Sequence, residues 1–254
     1  MMKKTKIYAE ILEDEALEQF NTAMSLPCNI SGALMPDAHT GYTLPIGAVI
    51  KSDKMIFPAY VGYDIGCGMC AVKLDITSDT LDLHAIKKDI LRDIPIGHHK
   101  QKEAQTFDDL PPYTNFAETV LDSVGQYQLG TLGGGNHFIE LGVGSDEKLW
   151  IVIHSGSRGF GKIIAEHYMK LACAKSIDTK ELENEFEVRN ANFKEHNPQK
   201  FEEAKEKFLQ KELEKQIKSN LEGHYGYAMD SNEGLEYIKD MNCALELALK
   251  NRKM

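Results

Sequence analysis

Lys148-Leu149-Trp150-Ile151-Val152-Ile153-His154-Ser155-Gly156-Ser157-Arg158-Gly159-Phe160-Gly161 is the stretch on which the fold turns. Its first six residues read as a strand, apolar throughout after Lys148 and preceded by the turn residues Gly144-Ser145-Asp146. The run passes into His154, then a Gly/Ser turn, then a helical pattern over about 161–174. A strand, a glycine loop and a helix in this order predict a mixed α/β (α+β) fold. His154 then lies at the carboxyl end of a strand, where ligands of α/β sheets gather. The free N–H groups opening the helix suit an anion such as phosphate.

Upstream, residues 137–143 read as the partner strand. They follow Gly130-Thr131-Leu132-Gly133-Gly134-Gly135-Asn136, a run costly to order and therefore suggestive of purpose. Further upstream, Val61-Gly62-Tyr63-Asp64-Ile65-Gly66-Cys67-Gly68-Met69-Cys70 sets a carboxylate and a thiol three residues apart on a backbone loosened by glycine. Asp64, Cys67, His137 and His154 thus offer a mixed O/S/N set for divalent metal. The bland alternatives are a tight turn with a buried thiol, a histidine at a strand start and a structural histidine at a strand end. Cys67-x-x-Cys70 also has the form of half a zinc knuckle or a redox pair, but there is no second C-x-x-C, and Cys70 begins a strand and is expected to face the core.

Around these lie supporting candidates. Asn136 can donate its amide to a phosphate, and Glu140 either accepts from a ligand or lies on a solvated face. Arg158 offers a bidentate fork to phosphate or carboxylate, or else a surface ion pair. Asp37, in Met35-Pro36-Asp37-Ala38-His39, either orients a ligand beside His39 or stabilises a turn. His98-His99-Lys100 reads as a solvated loop.

Elsewhere the pattern predicts helices over 13–24 and 80–92, strands over 46–50 and 70–75, and an edge strand or extended connector over 56–61 because of Pro58. Residues 97–116 read as loop. The Glu/Lys-rich segment 178–222 reads as a hairpin of two amphipathic helices broken near Asn197-Pro198. A helix over 231–254 reaches the last residue without a cap signal, so the chain reads as cut short. The formal net charge of −10 argues against a broad nucleic-acid-binding surface but leaves room for a local basic groove. No segment approaches ~20 uninterrupted apolar residues, so no membrane span is expected. The basic start lacks an apolar stretch after it, so no secretory signal is expected either. Five cysteines, an odd number, point to reduced thiols and a cytoplasmic place.

Four motifs, in this order, resemble the RtcB family of RNA ligases: Met35-Pro36-Asp37-x-His39, Val61-Gly62-x-Asp64-Ile65-Gly66-Cys67-Gly68-Met69, Leu129-Gly130-Thr131-Leu132-Gly133-x-Gly135-Asn136-His137-Phe138-Ile139-Glu140, and His154-Ser155-Gly156-Ser157-Arg158-Gly159. The resemblance covers most of 30–172 and resumes weakly at 223–252. It implies one RtcB-like catalytic domain over 1–254, incomplete at its C-terminus, with 178–222 as a charged helical insertion. It implies an enzyme joining RNA 2′,3′-cyclic phosphate or 3′-phosphate ends to 5′-hydroxyl ends, with GTP and two Mn²⁺, through a guanylylated histidine. By the same resemblance Asp64, Cys67 and His137 hold one Mn²⁺, while Cys67 and His154 hold a second. Asn136 and Glu140 contact the nucleotide, and Asp37, His39 and Arg158 are candidates for phosphate contact or for support of the ligands. The family's Cys-His-His-Asn segment (a further metal histidine) and its His-Gly-x-Gly segment (the nucleophile) do not occur in these residues. The chain is therefore expected to be inactive alone and to need a separate C-terminal polypeptide. Two other readings stand beside it: a metal-dependent phosphodiesterase acting on cyclic phosphate ends, and a non-catalytic metal- or nucleotide-binding half of a split protein.

Overall fold

In a computed structural model that describes residues 3–77, 79 and 81–254, the chain alternates strands and helices. In order these are β1 (Lys4–Ile7), α1 (Asp14–Ser25), β2 (Asn29–His39), β3 (Ile46–Ser52), β4 (Met55–Ile56), α2 (Pro58–Val61), β5 (Gly68–Thr77) and α3 (Leu83–Asp93). Then come α4 (Asn115–Val120), a π-helical turn (Leu121–Gly125), α5 (Gln126–Gln128), β6 (Phe138–Val143), β7 (Lys148–Ser155) and α6 (Arg158–Ser176). The last elements are α7 (Thr179–Arg189), α8 (Ala191–His196), α9 (Pro198–Asn220), β8 (Tyr227–Ala228) and α10 (Asn232–Lys253). With 49% helix and 21% strand, the mixed α/β class is as the sequence implied. Residues 1 and 2 of the basic start, and residue 80 of the expected helix 80–92, lie outside the described residues. No helix among the described residues is long and apolar enough to cross a membrane.

The described residues form two compact units. One comprises the chain up to Tyr60 together with His167–Ala228. In it β2 pairs parallel with β1 and antiparallel with β3. α1 covers one face, where Phe20 and Met24 pack on Leu34 and Ala38. Gly32 permits that approach, since a Cβ there would lie 2.8 Å from the Met24 sulfur. The β2–β3 register slips between Leu34 and His39, around Pro36, which has no N–H to give to a ladder. The apolar pattern alone did not mark residues 29–39 as a strand, because Gly32 and Pro36 interrupt it. Residues 56–61 also differ from expectation: the strand ends at Ile56 and Pro58 opens the short α2, a position where its missing N–H costs nothing. The segment 178–222 forms three helices rather than two, with breaks at Asn190 and at Asn197-Pro198.

The other unit comprises Val61–Glu166 and Met229–Met254. Its sheet has the order β5-β7-β6, antiparallel throughout, with β7 in the centre. β7 extends to Ser155, two residues beyond the run predicted, and α6 starts at Arg158 rather than near 161. The residues read as loop up to 116 give way at Asn115 to α4, whose cap Thr114 accepts from the Ala117 N–H at 3.2 Å. α10 packs against β5 and β7, and its buried Asp240 accepts from both the N–H and the hydroxyl of Thr114, each at 2.8 Å.

Candidate metal centre

Two loops of the second unit and the end of its central strand carry the site. The first joins α2 to β5. Gly62 (φ +84°) and Gly66 (φ +77°) take left-handed conformations that side chains resist. A turn bond from the Cys67 N–H to the Asp64 carbonyl (3.0 Å) holds those two residues together, and Ile65 between them is fully buried. A Cβ on Gly66 would lie 2.9 Å from the Ala248 Cβ, so this loop rests directly on α10.

The second loop precedes β6, with positive φ at Gly130, Gly133 and Gly135. His137 Nδ1–H donates to the Leu132 carbonyl at 2.9 Å, which leaves the Nε2 lone pair outward. That Nε2 meets Asp64 Oδ2 at 2.8 Å. Two acceptors at that distance require a proton or a cation between them. The third part is the end of β7 and the turn that leaves it. His154 pairs across the sheet with Phe138 on one side and Met69 on the other, and its Nε2 lies 3.0 Å from Cys67 Sγ. Cys67 Sγ also lies 3.7 Å from His137 Nε2.

One ligand atom each from Asp64, Cys67 and His137 lies within 4.8 Å of the others, and His154 flanks the sulfur. Carboxylate, thiol and imidazole together fit a divalent transition metal, and the fixed His137 tautomer is the one a metal ligand needs. The Cys67 sulfur is crowded by Asp64, His137 and His154, although the residue as a whole is exposed. That desolvation, and secondly the Asp64 charge, push the thiol up to about 12.

Arg158 lies beneath the second loop. Its Nε donates to Thr131 Oγ1 and its Nη2 to the Gly97 carbonyl, both at 3.2 Å. A Cβ on Gly133 would collide with the guanidinium. Burial lowers the Arg158 pKa, and the nearby Asp64 charge opposes that. Nη1 stands 3.4 Å from His137 Nδ1, where both nitrogens carry hydrogen. Two of the guanidinium nitrogens are thus engaged, one by the loop and one by Gly97. One of the first amides of α6 is taken as well, because the Gly159 N–H donates to Gln128 Oε1 at 2.6 Å. Nothing near His154 in the sequence pointed to Gln128, which arrives from α5.

Asn136 and Glu140 are exposed, and Glu140 shares the sheet face of His154 and Phe138. Cys70 is half-buried on β5 rather than in the core. Asp37 and His39 lie exposed on β2 of the first unit, where the ring of His39 bonds the Asp37 backbone carbonyl (2.8 Å). His98 and His99 are exposed, as a solvated loop requires.

The fold and this cluster define a mixed α/β protein with a thiol–carboxylate–imidazole centre built on glycine loops. A family model described as "tRNA-splicing ligase RtcB" matches residues 19–119 and 114–254, and the chain belongs to that family. It is 31% identical over 191 residues to the RNA-splicing ligase RtcB of Escherichia coli (strain K12), covering 67% of this chain and 47% of that protein. It is 27% identical over 222 residues to the tRNA-splicing ligase RtcB of Nanoarchaeum equitans, covering 65% of this chain and 46% of that one. With the tRNA-splicing ligase RtcB of Methanococcus maripaludis the identity is 26% over 299 aligned positions, covering 96% of this chain and 55% of the relative. The chain spans about half the length of the curated relatives it matches.

Proposed function

We propose that these residues form the metal- and nucleotide-binding part of a GTP- and Mn²⁺-dependent RNA ligase. It would join 2′,3′-cyclic phosphate or 3′-phosphate ends to 5′-hydroxyl ends through a guanylylated histidine. The observation that carries the reading is the convergence of Asp64, Cys67 and His137 from two loops with His154 from the end of β7. Asp64, Cys67 and His137 would hold one Mn²⁺, and Cys67 with His154 a second. Bound there, the cations would share the negative charge on the attacking and leaving oxygens of a phosphoryl transfer. The chain's own residues prepare the place. Leu132 fixes the His137 tautomer, Asp64 faces its Nε2, and Asn136 and Glu140 stand exposed beside the centre to meet the nucleotide.

The test uses an RNA with a 2′,3′-cyclic phosphate end, an RNA with a 5′-hydroxyl end, labelled GTP and Mn²⁺. The chain alone is expected to bind Mn²⁺, lose it on Cys67→Ala, and retain no covalent GMP. Joined RNA is expected once a polypeptide carrying the His-Gly-x-Gly segment is supplied. Stable label on the 254-residue chain itself would overturn the assignment of the nucleophile. Opening of the cyclic phosphate without GTP would replace ligation by hydrolysis.

A further inference from the structure

The last turn of α10 holds all three segments that carry or adjoin the ligands. Asn251 is 8% exposed, yet both ends of its amide are used. Its Oδ1 accepts from the N–H of Gly130 (2.8 Å) and of Thr131 (3.3 Å). Its Nδ2 donates to the Thr131 carbonyl and Ser155 Oγ, both at 3.1 Å, and to the Gly156 carbonyl at 3.4 Å. Ser155 Oγ in turn donates to the Leu132 carbonyl at 3.0 Å, the same oxygen that receives His137 Nδ1–H. Arg252, the next residue, sends Nη1 to the carbonyls of Gly66 and Ser155, both at 2.7 Å. Gly66 precedes Cys67 and Ser155 follows His154. Two adjacent side chains therefore tie the Asp64–Cys67 loop, the loop before His137 and the turn after His154 to one rigid 22-residue helix.

We infer that Asn251 and Arg252 are positioning residues that set the affinity of the metal centre by holding its three glycine loops in one register. The inference rests on the metal reading above. Loops with several glycines at positive φ lose much conformational freedom on ordering, so without a clamp the ligands would pay that cost when metal binds. Partners one bond beyond the ligands commonly control metal affinity by about 10–100-fold. Neither residue touches a ligand atom. Asn251 acts through the Gly130-Thr131 backbone and the Ser155-Gly156 turn, and Arg252 through the carbonyls beside Cys67 and His154, with its charge also near Cys67.

The test is a Co²⁺ titration of the full chain, read by the thiolate-to-cobalt absorption that reports Cys67 coordination. Each variant is measured well below its own unfolding midpoint. Asn251→Ala and Arg252→Met are expected to weaken cobalt binding about 10–100-fold, with Arg252→Lys recovering part because an ammonium can reach one of the two carbonyls. Folded variants that bind cobalt as tightly as the parent overturn the clamp while leaving the metal centre standing. A folded parent with no cobalt–thiolate band overturns the metal reading and the clamp with it. Should Asn251→Ala not fold, the Arg252→Met and Arg252→Lys pair decides the matter, since Arg252 is only half-buried.

Discussion

At the scale of single residues, the centre depends on atoms that are missing as much as on those present. A Cβ on Gly156 would fall on the Asp64 carboxylate, so the turn after His154 reserves the space that Asp64 fills. Gly156→Ala is expected to push the carboxylate off the His137 Nε2, weaken cobalt uptake at least ~10-fold and cost about 1–3 kcal/mol of stability as an overpacked site. Gly134→Ala is the matched control. Its Cβ would meet nothing nearer than the Gly97 Cα at 3.6 Å, so it should stay within about 0.5 kcal/mol and bind cobalt normally. Urea midpoints and the cobalt titration measure both. Equal behaviour of the two variants would show that the spacing against Asp64 does not matter.

At the scale of elements, the charged segment α7–α9 is held by aromatic packing that its composition hides. Phe201 is fully buried, with ring centroids 5.3 Å from Phe186 and 6.4 Å from Phe193, while Phe208 lies 5.1 Å from Phe186. Lys205 pairs with Glu187 at 2.8 Å and Glu183 at 3.3 Å, which registers α9 against α7. These pairs are partly exposed and contribute little beside the rings. Phe201→Ala is expected to cost about 3–5 kcal/mol within this segment, seen as faster amide exchange across 178–222. Cobalt uptake should be unchanged, because every ligand belongs to the other unit. Protection that survives the substitution would mean that the ion pairs, not the rings, hold the helices.

For the molecule as a whole, charge and exposed apolar surface oppose one another. Val72 and Val143 stand on one face of the β5-β7-β6 sheet, 47% and 58% exposed, and Met69 on the other face is 65% exposed. A net charge of −10 keeps copies apart at low salt. Raising salt from roughly 0.05 to 0.5 M screens that repulsion while leaving apolar attraction intact. Light scattering should therefore show the mean mass rising with salt, and Val143→Lys should reduce the rise. A mass independent of salt would mean that these side chains are not an adhesive surface.

How much of this was legible beforehand differs by kind. Periodicity marked α1, α10 and the central strand β7, because local spacing of apolar residues is enough to choose a helix or a strand. Three glycine-laced segments named Asp64, Cys67, His137 and His154, because a tight turn needs its glycines in the sequence itself. What no local pattern holds is which distant groups meet. Gln128 on the Gly159 amide of α6, Arg158 turned under a loop instead of outward, and the Asn251-Arg252 dipeptide bonding to residues 66, 130–131 and 155–156 arise only when the chain closes on itself. Residue types and turns were written in the order of amino acids. Their convergence was decided by packing, since hydrogen bonds between residues 90 or more positions apart leave no periodic trace in the chain.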